Sequence, residues 1–279
     1  MDYRLSFKAG EECSQRSAAA LPPAFHLPPW AYPLLFAAGF SAGLVDSIAG
    51  GGGIISVPVL LNFGLPPQLA LGTNKFQSSF GSVAASWRYA RRGLVELRAC
   101  RLGILLTMAG ALLGAGVVQH IESRVLEKTI PVLLTALVAY LAFQPQIGRE
   151  DRPARLGPGV FYAVFGLGLG FYDGFFGPGT GSFWAIAFVL LRGHNLARAT
   201  AHTKVMNATS NLASLALFAA AGLVHLGAGL VMAAGQVAGA RLGAGLVVRK
   251  GAQFVRPAFL VMAGLTILRL VWINLVRPP

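Results

Sequence analysis

Residues 43–82, GLVDSIAGGGGIISVPVLLNFGLPPQLALGTNKFQSSFGS, decide how this chain of 279 residues is read. Two apolar arms flank Gly50, Gly51, Gly52 and Gly53. Glycine weakens a helix by about 1 kcal/mol per residue, so four in succession predict a break. The pattern predicts two half-length helical arms meeting at a non-helical tip. Pro58 comes early in the second arm, where proline is tolerated. At membrane depth such a tip needs a cover of protein or water. An apolar helix pattern follows, with Asn74, Lys75, Gln77 and Ser78 inside it. The same plan returns at residues 170–211 as GFYDGFFGPGTGSFWAIAFVLLRGHNLARATAHTKVMNATSN.

Working outward, the whole chain has membrane character. It is 55% hydrophobic and 12% charged, with a mean hydropathy of +0.63. Soluble domains carry about 25% charged residues. Half that share, with apolar runs long enough to span a bilayer, indicates an all-α integral membrane protein. The formal charge is +13. In a soluble chain this would point to nucleic acid. Here the basic residues sit in short loops between apolar runs, where they set orientation, so no nucleic-acid partner is expected. Cys13 and Cys100 lie in unrelated contexts and predict neither a disulfide nor a metal site. No signal-peptide pattern precedes Trp30.

The chain divides into a polar N-terminal tail (1–29), a first membrane repeat (30–143), a cytoplasmic linker (144–157) and a second repeat (158–279). Single helices are expected at about 68–89, 102–118, 125–143, 196–221, 226–248 and 254–276, and broken segments at about 30–63 and 160–191. The repeats align in detail. One constant offset pairs Lys75 with Lys204, Gly64 with Gly193, Gly93 with Gly222, and Gly114 with Gly243. At the tips the offset is shorter by two, pairing Asp46 with Asp173 and Gly50 with Gly177. A two-residue insertion in the second broken segment explains the change.

Loop charges relate the two halves. The loop at 88–101 holds five arginines, whereas its counterpart at 222–227 holds no Lys or Arg. By the positive-inside rule they face opposite sides. Each half therefore has a broken hairpin that re-enters from and returns to one side, then three crossings, and the repeats are inverted.

Four groups of residues carry candidate chemistry. The helix arms starting at Ile54 and Ser182 would aim unsatisfied N–H groups and a partial positive charge at the tips. That makes Gly50 to Gly53, and Gly177, Gly179, Thr180 and Gly181, an anion site; tight helix packing is the alternative use of such glycines. Lys75 and Lys204 head polar stripes, with Ser78 on one helix and Asn207 and Asn211 on the other. A lysine inside a membrane helix lines a cavity, pairs with an acid or snorkels to the interface. Asp46 and Asp173 precede the tips. They could bind a coupling proton or cation, hold tip amides, or pair with the lysines. His194 and His202 have no ligand spacing, so no metal or cofactor is expected.

At these residues the chain resembles the sulfite exporter TauE/SafE family of bacterial permeases. The stretches that carry the resemblance are GLVDSIAGGGGIISVPVLL with ALGTNKFQSSFGS, and YDGFFGPGTGSFW with ATAHTKVMNATSN. The resemblance implies a multi-pass transporter in the bacterial inner membrane. Its substrate would be a small anion such as sulfite, sulfoacetate or another organosulfonate, moved mostly outward. The lysines, the tip amides, Asn74, Gln77, Ser78, Asn207 and Asn211 would hold it. No enzymatic activity is expected, and a homodimer is compatible with this reading. The rivals are a passive anion channel, a membrane enzyme using Asp46 and Asp173, and a packing subunit with no site.

Overall fold

The structure, a computed structural model, describes residues 27–142 and 150–250. The helix expected at 254–276, and most of the polar tail, lie outside these residues. The first half comprises α1 (Ala31–Ala49), α2 (Gly53–Asn62), α3 (Pro67–Arg91), α4 (Arg101–Gln119) and α5 (Ser123–Ala142). The second begins with α6 (Pro158–Phe161), a π-helical turn (Tyr162–Gly166) and α7 (Leu167–Phe175). It continues with α8 (Thr180–Arg192), α9 (Leu196–Ala220) and α10 (Leu226–Lys250). No strand occurs among the described residues. Helices α1, α4 and α10 are long and apolar enough to cross a membrane, while α2 and α8 are shorter apolar helices.

The glycine runs break their helices as expected. Gly50 takes φ +79° and donates its N–H to the Asp46 carbonyl, closing α1 with a left-handed residue. Its counterpart Gly177 takes φ +96°. Gly64 pairs with Gly193, and Gly93 with Gly222, again all with positive φ. Gly179 departs from the pattern at φ +78°, where Gly52 has −54°. The repeat is thus written into the backbone.

The expected arm lengths need correction. Arm one is α1, 19 residues long, about 28 Å at 1.5 Å per residue. Only α2, at 10 residues, is half-length. The glycines inside α1 do not interrupt it, because they serve packing. Gly39 and Gly43 lie directly on the backbones of Met232 and Gln236 of α10, where close approach of helices favours small residues. Pro58 also falls deeper than expected, sixth in α2, and there it removes a ladder bond.

Both hairpins return to their starting side. Trp30 and Phe63, just outside α1 and α2, bring their rings to 5.8 Å. Leu27 and Ala31 share a buried cluster with Leu60 and Leu65, so the end of the polar tail is packed, not loose. In the second half the backbone N–H groups of Arg155 and Leu156 donate to the Leu191 carbonyl, and that of Arg152 to Gly193. The linker is therefore strapped to the exit of α8. Asp151 tightens the strap by accepting from the Asn195 amide, the main cause that holds its carboxyl below the usual range.

Helix directions follow from which residues touch. Gly39 and Gly43 of α1 meet residues 232 and 236, and Phe76, Gly81 and Arg88 of α3 meet 229, 236 and 245, so α1, α3 and α10 run parallel. Gly110 and Gly114 of α4 meet Leu167 and Phe171, and Phe171 and Phe175, so α4 and α7 are parallel. The start of α3 meets the end of α9 (Gly72 on Phe218), whereas Ser82 meets Asn211, so α3 and α9 are antiparallel. Thr107 touches Met206, and Ala115 and Val118 share a cluster with Phe218, so α4 runs with α9. The equivalent pairs α1 and α7, α3 and α9, and α4 and α10 are thus opposed among the described residues, and the repeats are inverted. Ser82 and Asn211 are equivalents under the repeat and touch each other, with Asn211 Nδ2 3.5 Å from Ser82 Oγ. They sit at the pseudo-two-fold axis.

In a chain with Cys13 and Cys100 replaced by serine, a Leu97→Cys variant should react with an impermeant maleimide from the cytoplasmic side only. An Ala221→Cys variant should react from the opposite side; labelling of both from one side contradicts the inversion. His194 is stacked on His202 at 4.6 Å between α8 and α9. Burial, then the nearby His202, Arg198 and Arg192, push its pKa down to about 4. The unfolded chain binds the proton near pH 6.5 and the folded one does not. Stability is therefore intact above about pH 6.5 and erodes as pH falls toward 4. Melting temperature measured from pH 7 to 4.5 should fall, and His194→Phe, which keeps the ring, should flatten that decline.

Candidate functional site

The two tips meet. Gly50 and Gly181 are so close that a Cβ on Gly50 would stand 2.5 Å from Gly181 Cα. Gly53 lies against Pro178 in the same way, at 3.0 Å. A Cβ on Gly181 would also stand 2.8 Å from Asn207 Nδ2. The tight-packing role of these glycines is therefore real. It does not use up every tip amide. Ile54, Ile55 and Ser182 donate to the carbonyls of Gly51, Gly52 and Gly179. Helices α2 and α8 begin one and two residues earlier than expected, and the amides of Gly53 and Gly181 donate to no carbonyl among the described residues.

Lys75 and Lys204 sit beside the tips and are 1% and 0% exposed. They do not snorkel. Each is paired across the repeats. Lys75 Nζ lies 2.6 Å from Asp173 Oδ1 and donates to Asn211 Oδ1 at 3.3 Å. Lys204 Nζ lies 3.1 Å from Asp46 Oδ2. The lysine of each half thus holds the aspartate of the other, so the two pairs are related by the same pseudo-two-fold axis.

The lysines therefore do not make the junction of the tips positively charged. Two ammonium and two carboxylate groups sum to zero. An isolated charge at the bilayer centre costs about 3 kcal/mol or more, and a buried charge is tolerated when it is paired. Pairing with the lysines, left open by the sequence, is what the aspartates do. Asp46 also accepts a long 3.5 Å contact from the Gly52 amide.

The two ends differ in quality. Asp173 is doubly held, since Ser210 Oγ donates to its other oxygen, and Lys75 has two acceptors. Lys204 Nζ is near enough to Asp46 for ion pairing but is not aligned for a hydrogen bond with any described residue. Thr203 Oγ1 and Asn207 Oδ1, on the same stretch of α9, are likewise buried without a partner among the described residues. Of the four buried charges whose pairs cross the repeats, Lys204 is thus the one whose polar atom lacks an aligned partner among the described residues.

The remaining candidates fall apart from the lysines. Gln77 Nε2 donates to Asn74 Oδ1 at 2.9 Å and to Ser78 Oγ at 3.0 Å, and Ser56 of α2 also donates to Asn74. Asn74, Gln77 and Ser78 form a knot tying α3 to α2. Thr180 Oγ1 donates to the Gly177 carbonyl and closes its own tip. Ser56, Thr203 and Ser210 were not among the candidates. Thr203 could have been found, since it is the repeat equivalent of Asn74. Ser210 replaces Gly81 in the repeat and carries no such signal. No group of three or more His, Cys, Asp or Glu capable of holding a metal occurs among the described residues.

Comparison with known proteins fits this architecture. The model of the sulfite exporter TauE/SafE family matches residues 35–270. A probable membrane transporter protein of Haemophilus influenzae is 45% identical over 243 residues, 86% of this chain and 94% of that protein. The probable membrane transporter protein YfcA of Escherichia coli K12 is 42% identical over 248 residues, covering 89% and 92%. Sulfite exporter TauE/SafE family protein 6 of Arabidopsis thaliana is 30% identical over 103 residues, 37% of this chain and 24% of that protein. No solved structure matches. With its inverted hairpins, buried lysines and a family match over most of its length, this chain belongs to the sulfite exporter TauE/SafE family and is a multi-pass membrane transporter.

Proposed function

We propose that the protein carries a small sulfur oxyanion, sulfite or an organosulfonate such as sulfoacetate, across the bacterial inner membrane by alternating access. The observation that carries this reading is the Lys204 end of the central cluster. There a buried ammonium without an aligned acceptor stands beside a glycine tip with amides to spare. Helix N-termini and ammonium groups both favour an anion, and discontinuous helices of opposed repeats are where such carriers bind substrate. The family's description supports an exported sulfur anion.

A carrier suits the centre better than an open channel, because tips in backbone contact and crossed ion pairs block it in this state. An enzyme would need free carboxylates, and both aspartates are engaged by lysines. Flux into vesicles holding the purified protein, with a panel of sulfite, sulfoacetate and simple carboxylates, tests the reading. Sulfur anions should show saturable flux. Lys204→Ala should lower their kcat/KM by about 100-fold, in line with loss of a charged hydrogen bond of about 3 kcal/mol. Linear, unsaturable flux, or unchanged flux in Lys204→Ala, contradicts it.

A further inference from the structure

We propose that the anion travels with a proton, and that Asp46 is the carboxylate that accepts it. The inference rests on the anion-carrier reading above and starts from charge. Lys75, Lys204, Asp46 and Asp173 are together neutral, and the two short tip helices beside them add no cation. Helix α2 has no ionisable residue, and Arg192, the one such residue of α8, lies at its far end, donating to the Leu156 carbonyl. An anion added to this buried group would leave one uncompensated negative charge, which a low-dielectric interior strongly disfavours. Neutralising one carboxylate by protonation restores balance.

Geometry selects Asp46. Asp173 is gripped by Lys75 at 2.6 Å and by Ser210, with its side chain 5% exposed. Asp46 has the looser Lys204 contact at 3.1 Å and the 3.5 Å tip amide, and is 13% exposed. It is the member of the four that solvent reaches best. The groups around it on each neighbouring helix are few. From α9 comes Lys204. On α3, Tyr89 donates to the adjacent Ser47 carbonyl at 2.8 Å, and the Arg88 guanidinium lies on Gly245. Arg241 and Arg249 of α10 are exposed. Lys204 is thus the cation that Asp46 neutralises.

The exchange is simple. A proton adds to Asp46, the Lys204–Asp46 attraction lapses, and an anion oxygen takes the carboxylate's place on the ammonium. The Gly53 and Gly181 amides supply further donors. The loaded cluster is again neutral. After release of both passengers, Asp46 returns to Lys204, so the empty carrier also reorients without net charge. A singly charged sulfonate is matched by one proton, and its transport is electroneutral.

The test uses the full chain in sealed vesicles, radiolabelled methanesulfonate as a permanently ionised probe, and a trapped pH dye. An inward acid gradient of about one pH unit should concentrate the probe about tenfold, the ratio equivalent to 1.4 kcal/mol, and acidify the lumen. A potassium diffusion potential should leave that ratio unchanged. In Asp46→Asn the ratio should fall to one whatever the absolute rate. Accumulation that follows the potential and ignores the pH gradient overturns the proposal while leaving an anion carrier. Tenfold accumulation in Asp46→Asn overturns the role of Asp46. The wild-type result stands by itself if that variant does not fold. If neither methanesulfonate nor sulfite enters wild-type vesicles, the carrier reading fails, and the coupling with it.

Discussion

Gly50→Val should abolish transport and strip the protein of much of its stability. Position 50 is intolerant for two separate reasons. Its φ of +79° is left-handed, which costs an L-residue about 1–2 kcal/mol. Its Cβ would also overlap the Gly181 carbonyl carbon, and stand 2.5 Å from Gly181 Cα and 2.8 Å from the Ser182 nitrogen. All three are backbone atoms that no rotamer change can move aside. Overpacking of this kind costs about 1–3 kcal/mol. Together the effects reach about 2–5 kcal/mol, a large share of a typical stability of about 5–15 kcal/mol. Gly93→Val separates the two causes. Gly93 has φ +70° but nothing within 4 Å of its Cβ position, so this variant should lose about 1–2 kcal/mol and keep its flux. Thermal melts with vesicle flux on both variants check the argument. Equal damage in the two would mean that tip contact is not what matters.

The second large effect concerns the crossed ion pairs. Lys75→Met leaves Asp173 buried without its cation. Removing one partner of a buried pair costs about 3–5 kcal/mol, whereas replacing both with apolar residues is often nearly neutral. The double variant Lys75→Met, Asp173→Leu should therefore melt close to wild type while both single variants melt far lower. Lys204→Met should be milder, because Asp46 is 13% exposed and can draw on water. A thermal double-mutant cycle on each pair measures this. Additive effects at Lys75 and Asp173 would contradict the pairing across repeats.

Much of this architecture is legible in the sequence, for identifiable reasons. Glycines with positive φ cannot be replaced cheaply, so Gly50, Gly64 and Gly93 recur as Gly177, Gly193 and Gly222 and reveal the repeat. Arginines in one loop, and none in its counterpart, reveal the inversion. Two things stay hidden. The length of α1 is not readable, because the Gly50–Gly53 run marks where the arms meet but not how long each one is. The crossing of the ion pairs is not readable either. Asp46 is far nearer along the chain to Lys75 than to Lys204, and sequence favours the nearer partner. Only the inverted docking of α3 on α9 brings the distant one within 3.1 Å. Ser210, which secures Asp173, has a glycine at the matching position of the first half and so leaves no trace in the repeat.

The glycine tips, the crossed ion pairs and the unaligned ammonium meet at one place, the junction of the two tips beside Lys204. Imaging the protein by electron cryomicroscopy with saturating sulfite tests it most directly. The anion should lie within about 3 Å of Lys204 Nζ and of a tip amide at Gly53 or Gly181, with the Asp46 carboxylate moved away. Anion density elsewhere, with both lysine–aspartate pairs undisturbed, would contradict the account.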